Sequence, residues 1–148
     1  MDVLTVSLFG HREIEDLREL DNGLTPIVRE LVQGEKFVSF LIGRNGEFDE
    51  YAASILKRVQ KEVGKENCEI MLVLPYKVKD IEYYEKYYDS VIIPENLSGV
   101  YHKAAITRRN EWMIEKSELV IAFVRHEGGG AFAALKYAKK LGKSIKKL

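Results

Sequence analysis

The sequence holds a single cysteine, Cys68, and three prolines in 148 residues. One cysteine excludes an internal disulfide and any multi-cysteine metal centre, and it fits a reducing compartment such as the cytoplasm. Long hydrophobic runs are missing as well. The longest, 70–74 and 119–124, have strand length, far short of the roughly 20 residues that span a bilayer. No basic, apolar and small-residue leader opens the chain, so neither a secretion signal nor a membrane anchor is expected. Excess charge of either sign is absent too, with 23 basic against 23 acidic side chains. That balance argues against a protein built mainly to coat a polyanion. No internal repeat, linker or low-complexity stretch interrupts the chain.

What is present is the composition of one ordinary domain, 1–148, with 46% hydrophobic and 31% charged residues. A chain of this length buries roughly two-thirds of its unfolded surface, enough for a core without staples. The charge is unevenly spread. No acidic residue follows Glu127, whereas Lys136, Lys139, Lys140, Lys143, Lys146 and Lys147 do. These lysines either form a solvated helix face or attract phosphate and nucleic acid.

Strand-like and helix-like segments alternate. Apolar runs predict strands at 3–9, 37–42, 69–74, 91–93 and 118–124, with a last edge strand at 144–148. Helical spacing predicts helices at about 15–32, 48–63, 80–88, 99–116 and from the glycines at 128–130 to 141. Asn22-Gly23 and Pro26 predict a break or kink in the first helix, and Gly142 a C-terminal cap for the last. The apolar runs are continuous rather than alternating, as in strands covered on both faces. Together these features predict a three-layer, doubly wound α/β fold, a mainly parallel sheet of five to six strands with helices on both faces.

In such a sheet, ligands bind beyond the carboxyl ends of the strands. The residues there are Gly10-His11-Arg12, Gly43-Arg44-Asn45-Gly46, Pro75-Tyr76 and His126-Glu127-Gly128-Gly129-Gly130. Gly128, Gly129 and Gly130 lead straight into a helix, where free N–H groups and the helix dipole would accept a phosphate; the alternative is a turn that packs the helix closely. No Gly-Lys-Ser/Thr follows, so this is not a Walker loop. Arg12 suits a bidentate phosphate contact, and His11 is a candidate proton donor or a plain hydrogen-bonding residue. Gly43 and Gly46 suit a backbone cradle. Asp49, in the next helical turn, suits a ribose hydroxyl or simply the helix dipole. Arg109 shares a helix face with Ile106 and Met113, so it points inward and requires a carboxylate or a bound anion as partner. Tyr83, Tyr84, Tyr87 and Tyr88 suit packing, a partner interface or base stacking. Cys68 has no adjacent base and is assigned no nucleophilic role.

Four stretches in this order resemble the SLOG superfamily of DprA-like and LOG-like Rossmannoid proteins, particularly its small YpsA-like branch. They are Ser7-Leu8-Phe9-Gly10-His11-Arg12; residues 46–53, from Gly46 to Ala53; Arg109 to Met113 followed by residues 117–122; and Gly128-Gly129-Gly130 with Tyr137-Ala138-Lys139-Lys140. The resemblance implies binding of a nucleotide or a nucleotide-derived, ADP-ribose-like ligand across the strand ends. Gly10, His11 and Arg12 would touch it, Gly46 and Asp49 would line the second loop, and Gly128 to Gly130 would match the phosphate loop. Arg109 matches the arginine of an Arg-x-x-x-Met element. LOG-type phosphoribohydrolases carry a Pro-Gly-Gly-x-Gly-Thr-x-x-Glu element whose glutamate serves N-glycosidic cleavage. Here no proline precedes the glycines, and no glutamate follows in Ala133-Ala134-Leu135-Lys136.

Three functions are therefore expected, in descending order. The first is binding or sensing of a nucleotide-like ligand. The second is hydrolysis of a nucleoside 5′-monophosphate or related N-glycoside, with His11, Asp49 and Arg109 as candidate catalytic residues. The third is nucleic-acid binding through the lysine-rich last helix. No metal site and no certain cofactor are expected, and a homo-oligomer is left open.

Overall fold

A computed structural model describes residues 2–97 and 99–148, without the side chain of residue 96. It contains six strands: β1 (Val3–Gly10), β2 (Phe37–Ile42), β3 (Cys68–Val73), β4 (Ser90–Ile92), β5 (Leu119–Phe123) and β6 (Ser144–Lys147). The helices are α1 (Leu17–Val32), α2 (Glu47–Val63), α3 (Ile81–Tyr87), α4 (His102–Lys116) and α5 (Gly129–Lys140), with a short 3₁₀ turn at Glu95–Leu97. The strands form one sheet in the order β4-β3-β2-β1-β5-β6, and every pairing is parallel. The architecture is the three-layer α/β fold that the apolar runs predict.

Side-chain alternation along the strands supplies both faces of the sheet. Val6, Leu8, Val38, Phe40, Ile70 and Leu72 pack on one side with Leu20, Leu24 and Val28 of α1 and Ala52, Leu56 and Val59 of α2. Phe9, Leu41, Val73 and Val120 pack on the other with Met113 and Ile114 of α4 and Ala134 and Ala138 of α5. Burying a side chain such as Leu20, which is 0% exposed, contributes about 1.5–3 kcal/mol. Ser7 is the polar exception in β1. Its hydroxyl donates to Met113 O at 2.9 Å and lies 2.5 Å from Ser117 Oγ, which ties the buried end of α4 to the centre of the sheet.

Two local expectations need adjustment. The chain does not break at Asn22, Gly23 and Pro26: α1 continues through them as one helix, because the burial of Leu20, Leu24, Thr25, Val28 and Val32 on one face outweighs the local breakers. It starts at Leu17 rather than 15, capped by Asp16, whose carboxylate accepts from the N–H groups of Arg18 and Glu19. Helix α4 starts at His102, three residues later than its spacing predicts. Gly142 does end α5: its N–H donates to Lys139 O and that of Lys143 to Ala138 O, the paired bonds of a Schellman cap.

The strand order positions the site. The chain winds outward from β1 to β4, then returns through α4 to place β5 on the opposite side of β1. Connections therefore diverge beyond the carboxyl ends of β1 and β5, which leaves a crevice between them.

Candidate functional site

A cleft of about 410 Å³ occupies that crevice, a volume within the usual range for small-molecule sites. Four chain segments build it. Gly10 ends β1 and His11, Arg12 and Glu13 follow it; Asn45, Gly46 and Asp49 follow β2; Ile106, Arg109 and Asn110 come from α4; His126 and residues 129–131 follow β5. Of the ten residues expected from the sequence to bind ligand or phosphate (Gly10, His11, Arg12, Gly43, Gly46, Asp49, Arg109 and Gly128 to Gly130), Gly43 and Gly128 stand outside this lining. The other eight are gathered in it.

Arg109 is 3% exposed, and its guanidinium is held entirely by neutral acceptors. Nη1 donates to Val73 O at 2.8 Å, Nη2 to Asn45 Oδ1 at 2.6 Å, and Nε to Asn110 Oδ1 at 2.9 Å. No ion pair within 4 Å engages it among the described residues. Burial draws its pKa down from the ordinary arginine value, and the charge of Asp49 opposes that shift. An arginine stays protonated in such a setting, so the wall of the cleft carries a positive charge without an ion-pair partner. Gly43 makes room for it: a Cβ there would lie 2.8 Å from Nη1 and 3.0 Å from Cζ.

Asn45 joins this arginine to Asp49. Its side-chain oxygen accepts from Arg109, while its backbone N–H donates to Asp49 Oδ2 at 2.8 Å. Asp49 retains some solvent exposure, yet it is enclosed enough that desolvation pushes its carboxyl above the usual carboxylate range. The Asn45 N–H and the Arg109 charge pull the other way. Gly46 serves packing: a Cβ there would lie 2.5 Å from Arg12 Cα. The loop after β1 is also pinned to α2, with Glu47 N–H donating to Arg12 O and Ile14 N–H to Glu47 Oε1, each at 2.8 Å.

The start of α5 also lines the cleft. Gly128 and Gly129 have φ of +88° and +82°, the left-handed region that favours glycine. Gly128 provides no side-chain cap and no acidic residue occupies the first turn. The first-turn N–H groups and the positive end of the helix dipole are thus available to an anion.

His11 is 9% exposed, and its Nε2 accepts the N–H of Arg125 at 2.9 Å. That bond places the proton on Nδ1 and keeps the ring neutral. Burial, His126 and Arg125 all hold its pKa below the ordinary value of 6.5. A histidine that resists protonation when folded makes the folded state bind fewer protons than the unfolded chain. Stability should therefore fall as pH drops through 6.5 toward the lower folded value, and His11→Gln should flatten that slope in denaturation midpoints between pH 7.5 and 5.

Sequence reasoning assigns no role to Glu13, Asn45, Asn110 or His126. Asn45 and His126 fall in the strand-end loops and Asn110 in the stretch after Arg109, but their partners appear only once α4 and the loop after β5 meet the loop after β2. Among the described residues, no group of three His, Cys, Asp or Glu side chains converges as a metal site. No described helix is long and apolar enough to cross a membrane.

No protein-family model and no curated protein matches the sequence. Solved structures do. DNA processing protein A (DprA) from Streptococcus pneumoniae superposes with a TM-score of 0.71 at 14% identity, over 98% of this chain and 50% of that one. The chain thus spans half the length of the pneumococcal protein. DprA from Helicobacter pylori, described for its single-stranded DNA binding mode, gives 0.67 at 15% identity, over 97% of this chain and 64% of that one. The molybdenum cofactor carrier protein of Chlamydomonas reinhardtii gives 0.61 at 13% identity, over 99% and 76% of the respective chains. At identities of 13–15%, the likeness is one of fold. With its all-parallel sheet and helices on both faces, the chain shares the three-layer Rossmann-like α/β fold of these proteins.

Proposed function

We propose that the protein binds a nucleotide or nucleotide-derived ligand, ADP-ribose-like in its phosphate and ribose chemistry, in the cleft beyond β1 and β5. The observation that carries this reading is Arg109: a buried guanidinium satisfied by neutral acceptors, facing the same cleft as an uncapped helix start. Phosphate would take the N–H groups of the first α5 turn, with Arg12 and Arg109 supplying charge. Asp49 would receive a ribose hydroxyl. The H. pylori neighbour's single-stranded DNA and the algal neighbour's molybdenum cofactor differ greatly, so the fold leaves ligand identity to the cleft.

Gly130→Asp tests the proposal without harming the fold. Gly130 lacks a positive φ, and a Cβ there meets only Asn110 Nδ2, at 4.0 Å. A carboxylate in the first turn complements the helix dipole and should stabilise the protein by about 0.3–1 kcal/mol. The same carboxylate would occupy the anion site, and ADP-ribose affinity should fall at least about tenfold by calorimetry. Unchanged affinity would remove the helix start from the site.

A second reading, N-glycoside hydrolysis, is favoured by Asp49 alone, whose raised pKa inside the cleft suits a proton donor. Release of free base from a nucleoside 5′-monophosphate, abolished in Asp49→Asn, would support it.

A further inference from the structure

We infer that the stacked rings of His11 and His126 form the platform that receives the planar base of the nucleotide, with the outer face of His126 making the contact. This rests on the phosphate-binding reading above and adds the base as a recognised part of the ligand.

The two imidazoles lie parallel, with centroids 3.7 Å apart and planes 10° from each other. In a two-ring stack each ring covers one face of the other. His11 is the buried member, whereas His126 is exposed, and both line the cleft. The open face therefore belongs to His126. His11 is locked by the Arg125 N–H on its Nε2, so it backs its neighbour as a neutral aromatic slab rather than as a titrating cation. His126 is held from its own side too. Its Nδ1 lies 3.1 Å from Glu127 O, and since a carbonyl oxygen only accepts, Nδ1 carries the proton and donates. A ring fixed in this way has already lost most of the freedom that stacking would otherwise cost.

Position favours a base over other planar groups. Helix α5 begins three residues after His126, so the proposed phosphate site and the platform share one loop. Asp49 and Arg109 stand in the same cleft of about 410 Å³. A ligand that uses all of these carries phosphate, ribose and a heteroaromatic base in one compact unit. Stacking tolerates any base, since each has a π face, so the platform would select nucleotides over sugar phosphates without choosing among bases.

AMP and ribose 5-phosphate share ribose and phosphate and differ at C1, which carries the base in AMP and a hydroxyl in ribose 5-phosphate; they provide the test, by calorimetry on the wild-type chain, His126→Ala and His126→Phe. The wild type should bind AMP about tenfold or more tightly than ribose 5-phosphate, the range expected for one stacked base. His126→Ala should erase that ratio while leaving ribose 5-phosphate affinity unchanged. His126→Phe, aromatic but unable to titrate or hydrogen-bond, should restore it. Equal wild-type affinities, a ratio that persists in His126→Ala, or failure of phenylalanine to rescue would each overturn the platform and leave the phosphate site standing. A parallel loss of both ligands in His126→Ala would likewise overturn it, as a loop effect. If neither compound binds the wild type, the phosphate reading itself fails, and the platform with it.

Discussion

Replacing Gly10 with alanine is expected to lower the stability of the fold by about 3 kcal/mol, a fall of roughly 10 °C in Tm for a chain of this size. Gly10 ends β1, where the chain passes directly over Phe48 in the first turn of α2. A Cβ at Gly10 would lie 2.7 Å from Phe48 Cβ and closer still to its ring. Phe48 is 0% exposed and embedded among core side chains, so it cannot swing aside. The strain must instead push α2 away from the sheet, and with it Asn45, Gly46 and Asp49. Phe48→Ala alone should cost about 3–5 kcal/mol by leaving a cavity. The double variant should cost clearly less than the two single losses added together, because the clash and the cavity involve the same space. Strict additivity in denaturant titrations would show that Gly10 matters for some other reason.

Arg109→Met is expected to abolish binding of AMP and ADP-ribose and to cost about 3 kcal/mol of stability or more. Methionine fills most of the volume but donates nothing. Val73 O, Asn45 Oδ1 and Asn110 Oδ1 would each lose a donor, and Asp49 would lose the nearby charge that offsets its burial. Arg109→Lys keeps the charge but not the planar fork, so it should retain a fraction of both stability and affinity. Adding Asp49→Asn to Arg109→Met should recover part of the lost stability, since it removes the carboxylate left without a cation, and should recover no binding. Gly130→Asp completes the set: it should reduce affinity while the fold remains intact, which separates anion recognition from structural support. Full affinity in a folded Arg109→Met protein would show that the guanidinium serves packing alone.

Much of the fold is legible along the chain. Continuous apolar runs such as Phe37–Ile42 and Leu119–Phe123 can be accommodated only where both faces are covered, and helices between them then require parallel crossovers. The inward position of Arg109 is legible as well, from its spacing to Met113. The glycines are less so. Gly43 and Gly46 suit a phosphate cradle by composition, yet one clears the Arg109 guanidinium and the other the Arg12 backbone. Composition cannot separate a glycine that admits a ligand from one that admits a neighbouring side chain. Asn45 shows the same difficulty from the other side. It is one residue of the Gly43-Arg44-Asn45-Gly46 loop with no role of its own until its side-chain oxygen and backbone N–H are found between Arg109 and Asp49.

Local periodicity, loop chemistry and the order of the segments were enough to specify a doubly wound parallel sheet and to locate ligand chemistry at one end of it, because burial on two faces and the handedness of crossovers act along the backbone. Which loops meet there was decided in three dimensions. The return through α4 sets β5 beside β1, and that step brings His126 onto His11, and Arg109 beside Asn45. These pairs lie 115 and 64 residues apart in the chain. Contacts at such separations follow from strand order and packing, and no local pattern encodes them.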